Sequence, residues 1–169
     1  MKYRHKTKYS KNLSPYAPVK ALDLMFSPKW RYSSCGLPIG PLSGNPGAES
    51  FFATIGRTTP IGCQSYMAEP AQMYIHWLYA LYDSEINAIN GSFAGSTIAA
   101  FEFLNENWQS LVNDIRHGTV SDQHHIPSAV DNLINLEPDP KRADELEVQF
   151  NLGMKSIVSR IWKNMRKFL

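Results

Sequence analysis

The stretch that decides the fold is Gly91–Ser121, GSFAGSTIAAFEFLNENWQSLVNDIRHGTVS. It opens on Asn90-Gly91-Ser92-Phe93-Ala94-Gly95-Ser96, a turn whose small residues let the backbone approach a neighbour closely. Gly95 to Asn107 then read as a helix with Ile98, Phe101 and Leu104 directed inward. Trp108, Leu111, Val112 and Ile115 continue the same apolar face. Gly118 is a good helix stop, following Arg116 and His117, which suit the negative end of the helix dipole. Asp114 and Arg116 lie two positions apart and do not share a face, so Arg116 is expected to serve the helix end.

Working towards the N-terminus, helical character begins at residue 69. Pro70 suits the first turn, and Met73, Trp77, Leu78 and Leu81 follow at helical spacing. Ser84–Ile89 are expected to continue the helix after a bend. Residues 51–67 are irregular, broken by Thr58-Thr59-Pro60 and Gly62. Residues 28–50 hold Pro28, Pro38, Pro41 and Pro46 with Gly36, Gly40, Gly44 and Gly47, which excludes a helix and leaves one short strand at Leu37–Leu42. Residues 19–27 read as a strand with Val19, Leu22, Leu24 and Phe26 on apolar positions, and residues 1–18 as a basic arm.

Towards the C-terminus, Ser128 can cap a short helix that buries Val130, Leu133 and Ile134. Asp139-Pro140 reads as a cap and first helical residue, opening a helix that runs to about Phe150 and stops at Gly153. The last segment has a clear helical period: Ile157, Val158, Ile161, Trp162, Met165, Phe168 and Leu169 fall on one face. The expected architecture is an α+β fragment, mostly helical after residue 69, with a short β element near residues 19–43. Residues 19–169 are expected to form one partial domain behind the basic arm.

Composition narrows the function classes. The 169 residues are 43% apolar and 19% charged, a globular balance. The net charge of +2 hides basic ends: residues 1–11 and 155–169 each carry five Lys or Arg and no acid, so the middle is near −8. Such ends read as solvated, or as paired with the acidic body, and no recognition fold supports nucleic-acid binding. Cys35 and Cys63 are too few for a metal site or a disulfide framework and are expected as free thiols. The first residues lack the apolar run of a secretory signal, and no stretch approaches the roughly twenty apolar residues of a membrane span. The expectation is a cytoplasmic protein with no membrane partner.

Few residues invite chemistry. His124 and His125 are adjacent, so their side chains point apart and do not readily chelate one metal. His76 sits among aromatics and reads as a packing histidine. Cys35, in Ser33-Ser34-Cys35-Gly36, reads as part of a turn. No Gly-x-x-x-x-Gly-Lys-Ser/Thr and no Gly-x-Gly-x-x-Gly is present to cradle phosphate. The turn at Ser92–Ser96 is the best physical candidate for a substrate-facing element, with Ser92, Phe93 and Ser96 as its binding residues. No catalytic, cofactor-binding or metal-binding residue is assigned.

Several ordered pieces resemble the acyl-acid amido synthetases of the Gretchen Hagen, auxin-responsive family, a branch of the adenylate-forming enzymes. Gly36-Leu37-Pro38-Ile39-Gly40-Pro41-Leu42-Ser43 is similar to the family's Gly-Leu-Pro-x-x-Pro-Val region, and Gln72-Met73-Tyr74 to its Gln-Ser-Met-Tyr helix. Phe93-Ala94 resembles the Val-Phe-Ala-Ser turn. Phe101, Phe103-Leu104, Trp108, Leu111, Asp114-Ile115, Gly118-Thr119 and Ser121 follow the family's Phe-Leu…Trp…Leu…Asp-Ile…Gly-Thr-Leu-Ser run. Pro138-Asp139-Pro140 with Ala143-Asp144, and Ile157 to Trp162, resemble two further segments.

The resemblance implies part of a large α/β domain of an ATP-dependent ligase. Such enzymes activate a small carboxylic acid as an acyl-adenylate and pass the acyl group to an amino acid, with ATP and Mg expected for the complete enzyme. It also implies that the turn near Ser92-Phe93 helps wall the acyl pocket. Ser92 replaces the Val of the plant pattern, and Lys163 replaces a Pro after Trp162. The family's Ser/Thr-Gly phosphate loop, its Ser-Ser-Glu nucleotide motif and its Tyr-x-x-Gly-Asp ribose motif are not found, so residues 1–169 are expected to be a truncated piece, inactive alone. The apolar stripe from Ile157 to Leu169 is then expected to drive self-association. An alternative is a small helical interaction module that uses a basic amphipathic helix at residues 155–169 for a partner or an anionic membrane.

Overall fold

The computed structural model describes residues 19–24, 31–39, 58–60, 69–91, 93–121 and 134–168. Three parallel strands form one sheet in the order β1 (Ala21–Leu24), β4 (Ala88–Gly91) and β5 (Lys167–Phe168). Parallel neighbours need long crossovers. The first contains α1 (Glu69–Tyr82), and the second contains α2 (Ala94–His117), α3 (Pro140–Asn151) and α4 (Ile157–Ile161). A separate two-residue antiparallel ladder pairs β2 (Arg31–Tyr32) with β3 (Pro38–Ile39) across a tight turn. Leu37–Leu42 is thus a strand only at Pro38–Ile39 within the described residues; positions 40–42 lie outside them.

Each element is held by the apolar face its spacing supplies. All four residues of β1 are buried, as expected of a strand covered on both faces. Val19 lies outside the strand and is exposed, while Phe26 is outside the described residues. In α1, Met73, Trp77, Leu78 and Leu81 all face the core, as their spacing requires. Trp77 stacks on Trp162 with ring centroids 6.5 Å apart, and its indole N–H donates to the Ala100 carbonyl at 2.9 Å. Trp108 of α2 stacks on Phe150 of α3 at 5.1 Å. Asp139 caps α3 by accepting from the Arg142 N–H at 2.9 Å, directly before Pro140. The Arg142 guanidinium is buried and donates to the Leu81 carbonyl at 2.8 Å and the Ile161 carbonyl at 3.4 Å. A cation there answers the negative ends of α1 and α4.

Three expectations are corrected. Ser84–Ile89 do not continue the helix: the chain turns at Ser84-Glu85, and Ala88–Gly91 form the central strand. The backbone N–H groups of Asn87 and Ala88 donate to the Lys20 carbonyl, which starts the pairing with β1. Asn90-Gly91, a turn signal in isolation, is therefore the end of a strand.

The second correction concerns the C-terminal helix, which is five residues long. At Trp162 the backbone becomes extended (φ −125°, ψ 91°), and its indole N–H donates to the Asp83 carbonyl at 2.9 Å. The Arg166 N–H then donates to the Asn87 carbonyl at 2.8 Å, and Lys167–Phe168 pair with Ala88–Ile89. Ile157, Ile161 and Trp162 are buried within the chain itself, and among the described residues no long basic amphipathic helix runs on from residue 155.

The third correction is Ile98, which was expected inward and is 60% exposed. The core reaches α2 at Ala100 and Leu104, so the first turns of the helix extend beyond it. Ser128, Val130 and Leu133 lie outside the described residues, as does the basic arm; Ile134 packs partly buried against the core. Among the described residues, no helix is long and apolar enough to cross a membrane.

Candidate functional site

The exposed start of α2 stands at the carboxyl end of β4, where ligands bind in open parallel sheets. An apolar groove of about 850 Å³ opens there. One wall is Gly91 with Ala94, Thr97, Ile98, Phe101, Glu102 and Asn105. The other is Met154, Ser156, Ile157 and Val158, from the segment joining α3 to α4. Sequence reasoning missed this second wall.

Local backbone chemistry fixes both walls. Phe93 is the N-cap of α2, in extended conformation and 75% exposed. Its carbonyl accepts from the Thr97 N–H and Thr97 Oγ1, both at 3.0 Å, and from Ser96 Oγ at 3.3 Å. Gly91 leaves room for the Thr97 side chain: a Cβ there would lie 2.1 Å from Thr97 Oγ1. In the opposite wall Ser156 adopts the left-handed conformation at φ 58°, which non-glycine residues rarely enter. Arg160 braces that segment, donating to the Lys155 carbonyl at 2.5 Å, the Gln149 carbonyl at 2.9 Å and the Gly153 carbonyl.

Of the candidate binding residues, Phe93 and Ser96 flank the groove at the helix start without lining it, and Ser92 lies outside the described residues. The side chains that do line it, Ile98, Phe101, Glu102 and Asn105, recur at the three- and four-residue intervals of a helix face. Ile98 was legible at that spacing, but as core; Phe101 does pack on the core, edge-on to Trp77 at 5.1 Å, and borders the groove as well. Met154 and Ser156 carry no comparable signal beyond the break at Gly153.

The far end of α2 is closed. Asp114 is buried; its Oδ2 accepts from the Tyr74 hydroxyl at 2.5 Å and the Ser121 N–H at 2.7 Å, and its Oδ1 from Thr119 Oγ1 at 3.1 Å. Its carbonyl accepts from the N–H groups of Gly118, in the left-handed conformation, and Thr119. Burial first, and then the hydrogen bond to Asp114, push the Tyr74 hydroxyl well above the usual tyrosine range. Arg116 points the other way and pairs with Asp144 and Glu147 of α3, so it ties two helices together rather than only serving a helix end.

The remaining polar candidates are accounted for structurally. His76 is buried, with Nδ1 2.7 Å from Thr59 Oγ1, as suits a packing histidine. Cys35 is exposed in the β2–β3 turn, and the Ser33 hydroxyl 3.1 Å away holds its thiol below the usual range. Cys63, His124 and His125 lie outside the described residues. Among the described residues no cluster of three or more His, Cys, Asp or Glu could hold a metal ion, and the groove is lined by no Lys or Arg.

Comparison with known proteins places the fold in a family. A model of the GH3 family N-terminal domain matches residues 2–168. The chain is 25% identical to an indole-3-acetic acid-amido synthetase, GH3.10, of Arabidopsis thaliana, over 87% of its own length and 27% of that protein. It is 30% identical to a jasmonoyl-L-amino acid synthetase, JAR6, of Nicotiana attenuata, over 78% of its length and 24% of the relative. Among solved structures, the GH3.15 acyl acid amido synthetase superposes with a TM-score of 0.72 at 21% identity, covering 89% of this chain and 26% of that one, which establishes the shared fold. A second structure of that enzyme, in complex with 2,4-DB, gives a TM-score of 0.71. The chain thus spans about a quarter of the length of the relatives it matches. On the match to residues 2–168, it belongs to the GH3 family, as part of that family's N-terminal domain.

Proposed function

We propose that this chain is part of the N-terminal domain of an adenylate-forming acyl-acid amido synthetase, and that the groove beside α2 is where this part meets the acid. The complete enzyme activates a small carboxylic acid with ATP and passes the acyl group to an amino acid in the cytoplasm. The observation that carries the proposal is an apolar groove at the carboxyl end of a central parallel strand, in a chain of this family. Ile98, Phe101, Ile157 and Val158 offer apolar surface to the body of an acid, and Ala94 brings the start of α2, the positive end of its dipole, to the same groove.

ATP and Mg do not fit the described residues. With no cationic side chain lining the groove and no metal-ligand cluster among those residues, triphosphate and cation are not assigned here. Residues 1–169 alone are accordingly proposed to bind acid without turning it over.

Amide chemical-shift mapping with indole-3-acetate, jasmonate and benzoate tests the proposal. Shifts at Thr97, Ile98, Phe101, Asn105 and Ile157 are expected. Their absence for every acid, or their confinement to other surfaces, overturns the groove assignment. Acid-dependent pyrophosphate exchange by residues 1–169 overturns the claim of inactivity.

A further inference from the structure

We propose that Glu102, with Asn105 one turn along α2, makes the groove selective for acids whose end distal to the carboxylate carries a hydrogen-bond donor, such as a ring hydroxyl or N–H. The inference rests on the reading of the groove as an acid site and concerns the half of the ligand away from the reacting carboxylate.

The groove is apolar along most of both walls. The Thr97 hydroxyl is already directed onto the Phe93 carbonyl. Glu102 and Asn105, three positions apart, present a carboxylate and a carboxamide from one side of the helix. A carboxylate accepts hydrogen bonds and repels a second carboxylate. Among the described residues, no Lys or Arg lines the groove to offset that repulsion. An acid therefore lies with its own carboxylate away from Glu102, towards Gly91 and Ala94 at the strand end. Eight residues separate Ala94 from Glu102 on α2, a rise of about 12 Å. That length accommodates an aryl-acetic acid with its para substituent reaching Glu102.

Glu102 and Asn105 are exposed in the groove, so the discrimination comes from the part of that wall a bound acid covers: a ligand without a donor takes water from Glu102 and returns no hydrogen bond. A para-hydroxyl satisfies Glu102; a para-methoxyl fills the same space and cannot donate.

Titration of the full chain with 4-hydroxyphenylacetate and 4-methoxyphenylacetate, followed by amide shifts of the groove residues, gives the test. The hydroxy acid is expected to bind about tenfold more tightly, the scale of one charge-assisted hydrogen bond. Glu102→Leu is expected to bring the two affinities within about twofold of each other. Glu102→Gln, which keeps an acceptor, is expected to retain part of the preference. Each variant's amide spectrum away from the groove reports that the fold is kept. If wild type and Glu102→Leu bind both acids in the groove with the same ratio, the selectivity role of Glu102 is wrong and the acid site stands. If neither acid perturbs the groove in the wild type, the acid site itself is wrong and the selectivity role falls with it.

Discussion

The two ends of α2 are built to opposite plans. At the C-terminal end Leu111, Val112 and Ile115 are buried, Gly118 closes the helix, and Asp114 gathers three donors from α1 and the following loop. At the N-terminal end Phe93 and Ile98 are exposed and the helix borders an open groove. Within one helix, stability and surface for a ligand are segregated along the axis. The closed end anchors α2 to α1 and α3, so the open end can present apolar side chains without having to be packed itself. The core residues therefore report on whether the chain folds, and the groove residues on what it binds.

Asp114→Ala should give the largest effect. It removes a buried carboxylate that accepts from the Tyr74 hydroxyl, the Thr119 hydroxyl and the Ser121 N–H, and a loss of about 3–5 kcal/mol is expected by chemical denaturation. A loss below about 1 kcal/mol would mean that the closed end is not what anchors the helix.

Tyr74→Phe comes next, at about 1–2 kcal/mol, because Asp114 keeps its other two donors. This variant also has a pH signature. The folded state holds the Tyr74 hydroxyl neutral to a higher pH than the unfolded chain does. That contribution is fully present below the unfolded tyrosine value of about 10 and is lost as pH rises above it, where the unfolded chain binds fewer protons. Stability measured from about pH 8 to about pH 11 should fall less steeply in Tyr74→Phe than in the wild type. Identical alkaline slopes would contradict the closed geometry.

The smallest stability effect belongs to the open end. Ile98→Ser should change stability by no more than about 0.5 kcal/mol while weakening acid binding in the groove. A loss of several kcal/mol in a melt would show that the N-terminal turns are core after all and collapse the contrast between the two ends.

Much of α1, α2 and α3 was legible because local rules act within each segment. Leu104, Leu111, Val112 and Ile115 follow the helical interval, Gly118 takes the left-handed stop, and Asp139-Pro140 announces α3. β4 was not legible. Four residues, Ala-Ile-Asn-Gly, contain a turn dipeptide, and only the strands on either side make them the centre of a sheet. The segment after Ile157 misled in the other direction. Its apolar period is genuine, but the chain leaves the helix at Trp162, whose indole bonds to Asp83, 79 residues away in sequence. The candidate site was legible in part. The small-residue stretch lies at the groove end of α2, while Met154 and Ser156 join the groove only because the segment after α3 folds back against the helix.

By itself, then, the sequence determined the lineage and three of the four helices among the described residues, since caps and periodicity are local properties of the chain. Only the tertiary structure decided that β4 is a strand, that the last helix stops after five residues, and that Ile98 lines a groove instead of the core. Each of those outcomes depends on what lies across from the residue in space, and periodicity fixes which side chains share a face without fixing what that face meets.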